Sequence, residues 1–114
     1  MTPEGRTKKD IKDLFFSRGL IAAGAKECNW PKEVTGWYYM PVPNGLGVHG
    51  IPDFVGFYLQ KFFVVEAKAP GNLDGTTPNQ ENRIKEIITA RGHAIVADSA
   101  ATVEALLDRI KAEK

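Results

Sequence analysis

Sulfur and net charge are what this chain has least of. Cys28 is the only cysteine in 114 residues, so no disulfide framework can form within it and no thiolate set can hold zinc. A reducing, cytoplasmic setting is the expectation. Lysine plus arginine number 15 against 14 acids, a formal charge of +1, which excludes a uniformly basic nucleic-acid coat. Any phosphate contact must therefore be local. No uninterrupted apolar run approaches the roughly 20 residues of a membrane helix, and the opening MTPEGRTKKD has no signal-peptide apolar stretch. Neither export nor membrane insertion is expected. Internal repeats, low-complexity tracts and long linkers are also missing, so residues 1–114 read as one domain.

What is present is the composition of a folded protein, 43% hydrophobic and 25% charged. Residues 2–18 have helical spacing, with Thr2 as cap, Pro3 in the first turn and Ile11, Leu14 and Phe15 on one stripe. Arg6, Lys8, Lys9 and Lys12 fall mostly off that stripe, and Gly19 supplies a stop. Residues 20–36, LIAAGAKECNWPKEVTG, have no period of either kind. WYYMPV is strand-like, with Pro41 placing it at an edge or near a strand end. The segments DFVGFYLQ and KFFVVEAK then read as an antiparallel hairpin turning near residue 60, the second strand apolar on both faces and hence central. Thr77, Pro78 and Gln80 make a capping box ahead of a helix carrying Ile84, Ile87 and Ile88, which Gly92 ends. HAIVADS predicts a short buried strand. Residues 100–112 predict a last helix behind Asp98 or Ser99, with Val103, Leu106, Leu107 and Ile110 inward. The expected fold class is α/β, a mixed sheet flanked by helices in the order α-β-β-β-α-β-α.

Within GIPDFVGFYLQKFFVVEAKAPG, three charged residues are not needed for burial. Alternation along KFFVVEAK puts Phe62, Val64, Glu66 and Lys68 on one face. A hairpin centred on residue 60 pairs position 53 with 67 and brings Asp53 beside Glu66 and Lys68. Each residue alone has an ordinary explanation, Asp53 as a turn cap after Pro52 and Glu66 with Lys68 as a cross-strand ion pair. Their convergence is less ordinary, since two carboxylates at an apolar sheet rim repel and lose hydration unless a cation sits between them. Mg²⁺ or Mn²⁺ suits such oxygen donors, and with phosphate oxygens completing the shell this becomes a phosphodiester site. Lys68 would orient the attacking water or neutralise phosphate.

GIPDF, then FFVVEAKAPG, then TPNQENRI, taken in that order, resemble the VRR-NUC (virus-type replication-repair nuclease) branch of the PD-(D/E)xK nuclease superfamily, over most of the chain. The resemblance implies a restriction-endonuclease-like sheet, with Asp53 and Glu66 as metal ligands, the Ala67 carbonyl as a third and Lys68 as the catalytic lysine. It also makes Gln80 the glutamine that arranges the site, a role compatible with its cap. Glu4 matches the acid that the first helix of such nucleases brings toward the metal. Glu4 is two turns from Ile11, so both face the sheet; a helix N-terminal acid favoured by the dipole would look the same. The resemblance further implies a Mg²⁺- or Mn²⁺-dependent endodeoxyribonuclease acting on branched DNA such as Holliday junctions or flaps, a homodimer, and DNA repair in a bacterial or phage-infected cell. The rival reading is a DNA-binding or assembly module that keeps the fold without cutting.

Other signals carry less. Gly45, Gly47 and Gly50 spell G-x-G-x-x-G, but a strand follows where a dinucleotide site requires a helix, so no nucleotide cofactor is expected. This loop suits approach to a phosphate backbone, with Asn44 and His49 as contacts, or plain turn chemistry. Trp30, Trp37, Tyr38 and Tyr39 can stack on bases, though core or interface packing is the simpler account of them. The basic cluster on the first helix can follow a phosphate backbone or be a solvated face. His93 reads as structural and Cys28 as unreactive.

Overall fold

The computed structural model describes residues 1–113 except Asn44 and Leu46, so the expectation for Asn44 lies outside the described residues. The fold is α/β: helix α1 (Pro3–Ser17), strands β1 (Leu20–Ala22), β2 (Gly36–Tyr39), β3 (Phe54–Tyr58) and β4 (Lys61–Ala67), helix α2 (Pro78–Thr89), strand β5 (His93–Ala97) and helix α3 (Ala100–Ala112). The five strands form one mixed sheet in chain order, with β1 parallel to β2, β2–β3 and β3–β4 antiparallel, and β4 parallel to β5. No helix among the described residues is long and apolar enough to cross a membrane.

The element order has one strand more than expected. β1 comes from the stretch without a period, and three residues are too few to show one. It joins the parallel β2 through residues 23–35, which contain a single 3₁₀ turn, Glu27–Asn29, and no α-helix. β5 also departs from expectation. It is the outermost strand beyond β4, so His93 to Val96 are only half-buried and Ala97 alone is fully enclosed.

Helix boundaries follow the residues that dictate them. The Thr2 hydroxyl accepts from the Gly5 N–H at 2.9 Å, and Pro3 opens α1. The capping box of α2 is closed in both directions between Thr77 and Gln80. The C-terminus of α2 is a correction: Arg91, not Gly92, takes the left-handed conformation, with φ of 72°. Gly92 is required for space instead, since a Cβ there would lie 2.8 Å from Ile87 Cγ2 and 3.2 Å from the Phe62 ring. Ser99 caps α3 by position alone; its hydroxyl meets Thr102 Oγ1, while Asp98 accepts from the Gly71 N–H.

The sheet has two unequal faces. One carries Tyr38, Phe54, Phe63, Val65 and Ala67 and is covered by Ile11 and Phe15 of α1 and by Val103, Leu106, Leu107 and Ile110 of α3. The Phe15 ring is the hub, 4.8 Å from Tyr38, 5.5 Å from Phe54 and 5.4 Å from Phe63 between centroids. Burying such rings stabilises by roughly 2–3 kcal/mol each. The other face has α2 over β5 but leaves the β2–β3 side open, where Trp37 stacks on Phe57 and borders Tyr39.

The β3–β4 register differs by one residue from that expected. The pairs run from Phe54↔Val65 to Tyr58↔Lys61, leaving a two-residue turn of Leu59 (φ 50°) and Gln60 (φ 70°). Two consecutive positive φ values identify the turn that matches strand twist, here without the Asn-Gly that normally signals it. The centre therefore falls between 59 and 60 rather than on 60, and continuing the ladder sets Asp53 opposite Glu66 instead of Ala67. Because a one-residue slip changes the face, Asp53 and Glu66 share one side of the sheet.

Candidate active site

The charged residues meet where β3 begins and β4 ends. Asp53, just before β3, turns its Oδ2 to the Ala67 N–H at 2.8 Å. One carboxylate oxygen is thereby fixed, and Oδ1 is approached by Lys8 Nζ at 3.5 Å. The Lys68 N–H bonds the Ala97 carbonyl on the β5 side, so the alternating backbone directs the polar groups of Ala67 toward Asp53. The Ala67 carbonyl accordingly lies on the Asp53 side of β4.

Glu66 and Lys68 are enclosed, at 3% and 6% exposure. Lys68 Nζ stands 3.4 Å from Glu66 Oε2 and donates to Gln80 Oε1 at 3.1 Å. Gln80 Nε2 donates to the same Glu66 oxygen at 3.1 Å, while Gln80 Oε1 also accepts from the Thr77 N–H at 2.9 Å. One side chain thus closes the helix cap and links Glu66 to Lys68, so the two roles coexist in this geometry.

Glu66 Oε1 is buried and has no hydrogen-bond partner. Leaving a buried carboxylate oxygen unpaired costs several kcal/mol if the group is ionised. Burial, then the negative charge of Asp53, push its pKa up to about 7, against the opposing pull of Lys68. The charge of Glu66 is therefore only partly compensated by its surroundings. Asp53 and Glu66 are hard oxygen donors with unfilled capacity, the chemistry that Mg²⁺ or Mn²⁺ accepts.

Glu4 is placed differently. No group of three or more His, Cys, Asp or Glu side chains converges among the described residues. Glu4 reaches Asp53 through Lys8, whose Nζ is 3.4 Å from Glu4 Oε2 and 3.5 Å from Asp53 Oδ1. Burial draws the Lys8 pKa down, but Asp53 and then Glu4 outweigh it and hold it above the usual lysine value. Lys8 is the site residue that the sequence reading passed over as part of a basic cluster. Its signal is its spacing, four after Glu4 and three before buried Ile11, which puts it on the inward stripe.

A cavity of about 380 Å³ adjoins the site, lined in part by Pro41, Pro43, His49, Gly50, Asp53 and Gln80. His49 is exposed, and its carbonyl accepts from Arg83 Nη1 at 3.0 Å. Gly50 (φ 86°) packs so closely on α2 that a Cβ would lie 2.3 Å from the Asn79 carbonyl carbon. Its absent side chain lets the loop dock on the helix turn that carries Gln80. The other aromatic candidates divide by strand alternation: Tyr38 enters the core, Trp37 and Tyr39 occupy the open face, and the Trp30 indole donates to the Ala25 carbonyl. Arg6, Lys9 and Lys12 are exposed, and Cys28 is a free, exposed thiol. Comparison with protein-family models and with curated proteins finds no match for this chain.

Proposed function

We propose that the protein is a Mg²⁺- or Mn²⁺-dependent endodeoxyribonuclease that hydrolyses phosphodiester bonds at the Asp53–Glu66–Lys68 site. The observation that carries this reading is the unpartnered, buried Glu66 Oε1 on the same side of the sheet as Asp53. A structural ion pair alone would not leave an acceptor stranded, because the lost hydrogen bond has no compensation. Asp53 Oδ1, Glu66 Oε1 and the Ala67 carbonyl are the atoms that would hold the ion. When bound, the ion would neutralise charge developing on phosphate oxygens and acidify a water.

The chain's own residues supply the rest. The Ala67 N–H fixes Asp53, so its second oxygen is preset for binding. Gln80 holds Glu66 and Lys68 in register. Lys68 Nζ is a donor positioned to orient water toward phosphorus or to offset charge on the phosphate. The resemblance of the Pro-Asp, Glu-x-Lys and Gln series to the VRR-NUC nucleases supports DNA as substrate, branched forms such as four-way junctions or flaps in particular, and a homodimer. Incubating the protein with labelled four-way, flap and linear DNA in Mg²⁺, Mn²⁺ or EDTA tests the reading. Expected are metal-dependent cuts, lost in Lys68→Ala while DNA binding persists. Binding of all three substrates without cleavage in either metal would establish the non-catalytic module instead, and solution mass reads the oligomeric state.

A further inference from the structure

Lys8 lies where a cation of the chain itself would compete with the proposed metal for Asp53. Asp53 Oδ2 is held by the Ala67 N–H, which leaves Oδ1 for a cation. Lys8 Nζ approaches that oxygen at 3.5 Å and Glu4 Oε2 at 3.4 Å. Both separations exceed the roughly 2.7–2.9 Å of a strong charged hydrogen bond. By contrast, Lys9–Asp13 closes to 2.8 Å and Lys61–Glu113 to 2.7 Å. Lys8 is shared loosely between two acids, and its side chain is less exposed than that of Lys9, 28% against 56%.

We infer that Lys8 is an exchangeable counter-ion, holding Glu4 and Asp53 Oδ1 in the metal-free protein and yielding them when a divalent cation binds. This rests on the metal site of the proposed function. An oxygen ligand stands only about 2.0–2.1 Å from Mg²⁺, and an ammonium kept at the same oxygen would be repelled by the dication. Withdrawal is sterically simple. The four-carbon stem is long and flexible, and with the side chain already 28% exposed the ammonium can swing toward solvent. Lys8 therefore has two effects: it lowers the repulsion between acids before loading, and it weakens metal affinity by the work of its displacement. A phosphate backbone arriving at the site would give the released ammonium a new partner, so DNA should favour metal loading.

The test is calorimetric titration of Mn²⁺ into the full chain without DNA, comparing wild type with Lys8→Met, Lys9→Met and Asp53→Asn, each checked for folding by circular dichroism. Lys8→Met is expected to bind Mn²⁺ about tenfold more tightly than wild type, whereas Lys9→Met, which removes the same charge one residue on, keeps the wild-type affinity. A Lys8→Met affinity equal to or weaker than wild type overturns the inference, as does an equal gain in Lys9→Met, which would mark a general charge effect. Should Lys8→Met not fold, Lys8→Gln carries the same expectation. Asp53→Asn separates the inference from its premise. Loss of binding there, with no gain in Lys8→Met, refutes the counter-ion alone; undiminished binding in Asp53→Asn, or none in wild type and Lys8→Met alike, refutes the metal site and the counter-ion together.

Discussion

At the start of β4 the Phe62 ring is 46% exposed, whereas at its end Glu66 and Lys68 are almost wholly enclosed. Side-chain alternation alone would put all three on one face, so the reversal comes from what lies above that face. Phe62 is half covered, meeting the Gly92 turn that follows α2; near Glu66 the sheet is roofed by Gln80 and the first turn of α2. An apolar group in water costs little, and single exposed apolar residues are common. A pair of enclosed charges costs several kcal/mol and persists only where geometry or function demands it. Burial against type is therefore the informative end of the strand.

The comparison can be broken most decisively at Glu66. Glu66→Gln preserves shape and removes the charge, and is expected to lower the cleavage rate by roughly 10³-fold or more in single-turnover assays. The same change should stabilise the metal-free protein at pH 8, because an ionised carboxylate with a stranded oxygen disappears.

A pH series sharpens the point. The unfolded chain releases the Glu66 proton near the ordinary glutamate value, while the folded chain keeps it to about 7. Between these values the folded state binds more protons, so this contribution to stability is complete at low pH and is lost as pH rises through about 7. Urea melts in EDTA should show a fall of roughly 3–4 kcal/mol from this group. Glu66→Gln should flatten that slope, and saturating Mn²⁺ should oppose it by favouring the ionised form.

Gly50→Ala attacks the roof rather than the charges. The new methyl group meets the Asn79 backbone at a residue with φ of 86°, so a loss of roughly 1–3 kcal/mol in thermal or urea melts is expected, together with weaker cleavage as Gln80 is displaced. At the half-open end, Phe62→Thr should cost about 1 kcal/mol and leave cleavage intact.

Much of this contrast is legible in the sequence. Parity along KFFVVEAK places Glu66 beside Lys68, and Thr77-Pro78-x-Gln80 announces both a helix start and the position of Gln80. The hairpin itself is evident, but its centre is not, because Leu59-Gln60 lacks the glycine that would mark the left-handed pair. β1 is hidden by its length and by pairing with a strand beyond a long connection. The exposure of β5 depends on its rank in the sheet, which no local pattern encodes. Lys8 is obscured by its neighbours, since three other basic residues within seven positions make a solvated face the simpler reading.

The two-residue turn at Leu59-Gln60 also bears on the order of events during folding. If the hairpin closes outward from its turn, the rungs from Tyr58↔Lys61 to Phe54↔Val65 would form before the acids are drawn together. Electrostatic opposition would then arrive after the nucleus exists. Asp53→Asn is accordingly expected to alter the unfolding rate in stopped-flow chevrons while leaving the refolding limb nearly unchanged. On that order of closure, the chain would meet its most unfavourable encounter only once enough structure had accumulated to withstand it.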